Sequence, residues 1–190
     1  MQVETFTDFT CPFSYVTEAA LRRAAAETGA AVRYRAFELY SVPAPLPLDA
    51  GMEWAEALAP LAAETGVVLS RPGYQSRTRK AHEAARFAEE RGAGDAMRAA
   101  IFAAYFAEGR DVGRIDVLVE IGTALGLDRT ELKVVLDIDR YTGAVLADEA
   151  LAERSGIRSV PVVVAGSGTG AQALVGAQSY AALREAVAAR

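Results

Sequence analysis

The residues best suited to chemistry lie close together near the start of the chain, in Asp8-Phe9-Thr10-Cys11-Pro12-Phe13-Ser14-Tyr15. This stretch holds the only cysteine among 190 residues. A strand-like run, Gln2 to Thr7, precedes it, and a segment of helical character follows. Proline is favoured at the first helical position, where its missing N–H is not needed, so Pro12 makes Cys11 the expected N-cap. A sulfur there faces the unpaired N–H groups of the first turn and the positive end of the helix dipole, both of which favour thiolate over thiol. Cys11 is therefore expected to be more acidic and more reactive than a free cysteine. The alternative is a small buried hydrophobe.

Other chemistry-bearing residues are sparse. Ser14, three positions after Cys11, has a hydroxyl that can donate or accept. Asp8 could tune the thiol as a nearby anion or serve only as a turn residue. His82 is the single histidine and so the obvious acid or base at neutral pH, although nothing sequential brings it to Cys11 and a surface helix position is the alternative. Arg71, Arg77, Arg79 and Lys80 could hold carboxylates of a ligand or form a solvated helix face. One cysteine and one histidine supply no metal-ligand spacing, so no metal is expected.

The elements that must position these residues follow from periodicity. Val16, Ala20 and Ala24 recur at helical spacing up to Gly29, and Ala31 to Phe37 alternates as a strand, giving a βαβ opening. Pro43, Pro45 and Pro47 bias the next segment to an extended form, read as a stiff connector rather than a ligand for an SH3-like partner. Helices are expected from Asp49 to Thr65 with a kink at Pro60, and over about 76–91, 95–108 and 115–125. Another opens on an Asp128-to-Glu131 capping box and runs to Asp137, and one covers about 141–154. Their apolar stripes read as core. Val160 to Val164, a Gly166–Gly170 turn, Ala173 to Gly176 and a helix over about 179–189 close the chain as strand, turn, strand, helix. The glycine run precedes neither a helix nor a lysine and is not a phosphate loop. The two ends combine into an α/β thioredoxin fold, residues 1–42 and 156–190, with an all-helical domain, 49–155, inserted between them.

A 52% apolar and 24% charged composition is that of a soluble globular protein, and 190 residues suffice for one well-filled core. The net charge of −5 argues against nucleic-acid or anionic-membrane partners. Without a signal-like N-terminus, a bilayer-spanning apolar run or a second cysteine, a cytoplasmic location is expected.

Cys11-Pro12-Phe13-Ser14 within the Asp8–Tyr15 run resembles the D-x-x-C-P-W-C-Y signature of DsbA-like thioredoxin-fold proteins, especially the FrnE-type branch linked to polyketide biosynthesis. That branch is related to 2-hydroxychromene-2-carboxylate isomerases and kappa-class glutathione transferases. Further marks are Phe37-Glu38-Leu39, Gly156-Ile157-Arg158-Ser159-Val160-Pro161 and Gly176-Ala177-Gln178. Ser14 stands where dithiol members carry a second cysteine, so no disulfide can close across the motif. The resemblance implies a cis Val160–Pro161 bond facing Cys11. It also implies catalytic roles for Cys11 and Ser14, with Ser14 hydrogen-bonding a glutathione-like sulfur, and substrate contacts from Pro12, Phe13, Val160, Pro161, Gln178 and His82.

Three functions follow from these residues and this resemblance. The first is a cytoplasmic thiol-disulfide oxidoreductase working through one cysteine, with a mixed disulfide resolved by glutathione or another small thiol and no covalently bound cofactor. The second is glutathione-dependent isomerisation of an aromatic acid in an apolar cleft lined by Trp54, Phe102 or Tyr105. The third is a non-catalytic binding module, with a homodimer as a further possibility.

Overall fold

The computed structural model describes residues 2–47, 53–70 and 72–188, and the side chains of all of these except Glu53 and Thr169. The expected caps at Asp49 and the side chain of Arg71 lie outside the described residues. Strand β1 (Gln2–Thr7) leads into helix α1 (Pro12–Thr28) and strand β2 (Ala31–Ala36). Helices α2 (Glu53–Thr65), α3 (Arg79–Glu89), α4 (Gly94–Phe106), α5 (Ile115–Ala124), α6 (Arg129–Asp137) and α7 (Thr142–Arg154) follow. Strands β3 (Val162–Ala165) and β4 (Gln172–Val175) and helix α8 (Tyr180–Ala188) complete the chain.

The four strands form one sheet in the order β2-β1-β3-β4. β1 and β2 run parallel, Val3 opposite Val32, as a crossover through α1 requires. β3 is antiparallel to both β1 and β4, with Thr5 opposite Val163 and Val163 opposite Leu174. Alternation along β1 divides its side chains between two cores. Val3 packs with Leu21, Ala24, Val163, Leu183 and Val187 on the face covered by α1 and α8. Phe6 points the other way and joins Cys11, Ala152 of α7 and Val160. This mixed α/β arrangement is the expected thioredoxin-type sheet, with helices α2 to α7 between its halves.

The helical block has its own core of fully buried side chains, among them Phe87, Met97, Ile101, Phe102, Leu118, Leu132 and Leu136. Phe9 and Tyr15, which flank Cys11, belong to this same core: the Tyr15 ring stacks on Phe102 at 5.0 Å between centroids and 6° between planes. The Cys11 motif thus lies on the seam between sheet and helices, and the two aromatic side chains hold it there.

A buried ion pair also crosses the seam. Arg98 of α4 donates to both oxygens of Glu18 in α1 and to the Thr7 hydroxyl at 2.8 Å, and Glu18 accepts a further bond from Thr7. Its guanidinium lies over the rings of Tyr34 (4.5 Å) and Phe9 (4.8 Å). Burial alone would raise the Glu18 carboxyl, but Arg98 and Thr7 hold it below the ordinary carboxylate value.

Two expectations need correcting. The proline-rich connector is not simply extended: residues 41–44 turn, with the Ala44 N–H donating to Ser41 O at 2.9 Å and a cis Val42–Pro43 bond. Arg77 clamps this turn by donating to the carbonyls of Tyr40 and Ala44 (2.5 and 2.7 Å). The second inserted helix starts at Arg79 rather than near Ser76, because the Ser76 hydroxyl donates to Asp111 (2.7 Å) instead of capping the helix.

Candidate active site

The site is assembled by three turns of chain. After β1 the backbone tightens so that the Cys11 N–H donates to Asp8 O at 3.1 Å. Cys11 is then the N-cap of α1, in extended conformation (φ −94°, ψ 113°), with proline in the first turn. Its sulfur accepts from the Ser14 N–H at 3.4 Å, one of the donors a helix start leaves unpaired. The third segment arrives from the far end of the chain: the thiol donates to the carbonyl oxygen of Val160 at 3.5 Å, and the Val160–Pro161 peptide is cis. The Gly176 N–H, donating to Pro161 O at 2.8 Å, ties this segment to the end of β4. Gly176 (φ 81°) adopts a left-handed backbone that glycine reaches without strain.

The expected acidity of Cys11 is not what this environment produces. The residue is 3% exposed, among Phe6, Ala152, Val160 and the half-buried Phe13 and Phe37. Burial pushes the thiol up to about 11, and the charge of Asp8 adds to the rise. The hydroxyl and N–H of Ser14 act in the opposite sense without overcoming it. Sequence shows the helix N-terminus beside the sulfur. It does not show the hydrocarbon that three distant elements wrap around it.

Beyond Cys11 opens a cleft of about 360 Å³, with Cys11, Pro12, Phe13 and Val160 on one wall. The inserted helices supply Trp54, Tyr105 and Phe106 opposite, and Trp54 meets Phe106 edge-on at 6.3 Å and 81°. Phe102, expected as a lining residue, is fully buried against Tyr15 instead. Leu39, from the Phe37-Glu38-Leu39 mark, also lines the cleft, as do Tyr40 and Gln75, which were not singled out from sequence. The loops of Tyr40 and Gln75 carry no periodicity, and only the adjacency of Tyr40 to that mark pointed to either.

The remaining expected residues lie elsewhere. Ser14 is wholly buried beneath the sulfur, its hydroxyl accepting from the Asp8 N–H at 3.3 Å, so it touches Cys11 rather than the cleft. Gln178 donates to the carbonyls of Val175 and Gly176 (3.1 and 3.3 Å), outside the cleft wall. His82 is not on a surface: it is 1% exposed, its ring 4.8 Å from that of Phe9 and its Nε2 3.8 Å from Asp8 Oδ1, behind the motif. Arg77 is occupied by the connector, Arg79 by Glu38 and Glu149, and Lys80 by Glu83, Asp139 and the Leu136 carbonyl. These cations hold the fold together and do not face the cleft. Among the described residues no three His, Cys, Asp or Glu side chains cluster as a metal site would require. None of the described helices is long and apolar enough to cross a membrane.

A capping cysteine opposite a cis-proline strand, on a four-stranded sheet interrupted by helices, defines a thioredoxin-fold thiol protein. Comparison with known families narrows this: the model for the DsbA-like thioredoxin domain matches residues 2–188, and the chain belongs to that family. The uncharacterized protein YwbO of Bacillus subtilis is 28% identical over 176 residues, 87% of each chain. Among solved structures, a "probable DsbA oxidoreductase" from Streptomyces coelicolor superposes with a TM-score of 0.80 at 29% identity, covering 98% of this chain and 88% of that one. The cytosolic disulfide reductase DsbM from Pseudomonas aeruginosa, determined with GSH, gives 0.71 at 25% identity, covering 92% and 89%. A 2-hydroxychromene-2-carboxylate isomerase shares the fold, with a TM-score of 0.74 at 22% identity over 93% of this chain and 89% of the other.

Proposed function

We propose that this protein is a FrnE-type, DsbA-like thiol-disulfide oxidoreductase that works in the cytoplasm through Cys11 alone. The observation that carries this reading is the Cys11 sulfur held between the Ser14 N–H and the Val160 carbonyl, on the wall of a cleft. In the first step the Cys11 thiolate attacks one sulfur of a bound disulfide. A new S–S bond forms, and the other sulfur leaves as a thiolate that takes up the proton Cys11 gave to solvent. A small thiol such as glutathione then attacks the mixed disulfide and releases Cys11. That thiol is oxidised into the departing disulfide while the original substrate is reduced. Ser14 holds the cysteine, and the Val160 carbonyl, freed of the thiol proton in the reacting state, lies beside the substrate sulfur.

A thiol of pKa about 11 is a slow nucleophile at neutral pH. Its scarcer thiolate is intrinsically more nucleophilic, so the net loss against a free cysteine is only about thirtyfold. Holding the disulfide in line within the cleft offers effective molarities of about 10⁵ M or more, which outweighs that loss. The test is turnover of a glutathionylated peptide with glutathione as reductant. Wild type is expected to deglutathionylate it and Cys11→Ser to equal the uncatalysed blank. Equal rates for the two proteins would remove the reading.

The aromatic wall of the cleft, Trp54, Tyr105 and Phe106, favours a second reading. Here a thiol bound in the cleft adds to a conjugated carbon of an unsaturated aromatic acid and leaves after bond rotation. Isomerisation that needs added thiol yet survives Cys11→Ser would decide for it.

A further inference from the structure

A second cavity, about 230 Å³, opens between β2, α3 and α4 and shares no lining residue with the Cys11 cleft. It is bordered by Tyr34, Ala85, Arg86, Asp95 and Arg98, and also by His82. His82 thus borders this cavity and also places its Nε2 3.8 Å from Asp8 Oδ1. Its Nε2 is buried and makes no hydrogen bond. A buried polar nitrogen left unpaired costs free energy, so its retention here calls for a role.

Asp8 supplies the other half of the argument. Its carboxylate is 1% exposed and accepts from the N–H groups of Leu39 (2.7 Å) and Thr10 (3.3 Å) and from the Thr10 hydroxyl (3.4 Å), all neutral donors. The cations around it are committed elsewhere: Arg98 to Glu18, Arg86 to Asp148 and Glu89, and Arg79 to Glu38 and Glu149. Among the described residues, His82 is the one basic side chain within salt-bridge distance of Asp8. The titratable and charged groups on the elements around His82 are Asp8 in the β1–α1 turn, Glu38 after β2, Tyr34 on β2, Arg79, Glu83, Arg86 and Glu89 on its own helix, and Asp95 and Arg98 on α4.

From this arrangement we infer that His82 is a positioning residue that sets the reactivity of Cys11 through Asp8. With the imidazole protonated, Asp8 is neutralised and the thiolate is tolerated. With it neutral, the Asp8 carboxylate faces the sulfur uncompensated. The proton that switches the two states reaches His82 through the second cavity, while the substrate uses the front cleft. This rests on Cys11 being the reacting group, but not on any particular substrate.

The test is the rate of Cys11 alkylation by iodoacetamide between pH 5 and 10, which needs neither disulfide nor isomerase activity. For wild type the logarithm of the rate should rise, flatten where His82 loses its proton, and rise again, the flat part amounting to about a tenfold shortfall. His82→Gln should give one uninterrupted slope, about tenfold slower than wild type below the flat region and equal above it. Asp8→Asn should react about tenfold faster than wild type above it. Because His82 is the chain's only histidine, its ring proton resonance titrates without assignment. Its midpoint in wild type should coincide with the onset of the flat part, a check that stands even if a variant fails to fold. A wild-type profile with no inflection at that midpoint, or a His82→Gln profile that superimposes on it, would overturn the inference. Failure of mixed-disulfide formation alongside the expected profile would instead remove only the oxidoreductase reading.

Discussion

Cys11 and Val160 are 149 positions apart in the chain, and the thiol of one donates to the carbonyl oxygen of the other at 3.5 Å. That contact joins the first turn of α1 to the segment entering β3, and it fixes what the sulfur can do. In the resting protein the neutral thiol donates to Val160 while its sulfur accepts from the Ser14 N–H at 3.4 Å, and loss of the proton removes the donor and leaves only the acceptor.

The raised thiol gives a signed pH prediction. Alkylation of Cys11 should still be accelerating above pH 9, where a free cysteine, with a pKa near 8.5, has levelled off. A folded-state value of about 11 also means that folding favours the protonated thiol. The associated stability is complete below the unfolded-state pKa and is lost as pH rises through about 11, by about 3 kcal/mol in all. Chemical denaturation of Cys11→Ala should therefore show a smaller decline between pH 8.5 and 11 than wild type.

Arg98 should be costly to remove alone. Arg98→Met leaves the fully buried Glu18 carboxylate with only the half-buried Arg22 at 3.5 Å and the Thr7 hydroxyl as partners and should destabilise the fold by about 3 kcal/mol in urea titrations. The double variant Glu18→Gln, Arg98→Met should recover much of that loss. If the double variant is as unstable as the single, the ion pair is not what the site depends on.

Trp54 is the only tryptophan, half-buried on the cleft opposite Cys11. Loading Cys11 with an aromatic thiol as a mixed disulfide should change its fluorescence. Cys11→Ser should show no change under the same treatment, and Trp54→Phe should lack the signal while still forming the adduct.

Much of this arrangement is written locally in the chain. Cysteine followed by proline marks the start of α1, Gly29 in left-handed conformation marks its end, and Asp128 caps α6 by accepting from the Glu131 N–H at 2.7 Å. The capping box is only half formed, since the Glu131 carboxylate pairs with Arg91 instead of returning to the cap. What local pattern does not carry is the long-range environment. The helix dipole at Cys11 is legible, but the burial that outweighs it comes from Phe6, Ala152 and Val160. His82 reads as any histidine on an amphipathic helix until the β1–α1 turn, β2 and α4 close around it. Arg98 and Glu18 do not stand out in the sequence, since each has another charge three or four positions away on its own helix, Asp95 and Arg22.

The most direct measurement is the intact mass of the protein after incubation with oxidised glutathione at mildly alkaline pH. One glutathione per chain, carried by Cys11, released by a reducing thiol and lacking in Cys11→Ser, is the result expected. An unchanged wild-type mass, under conditions that fully modify a cysteine-containing peptide, would contradict a reactive sulfur at the head of α1.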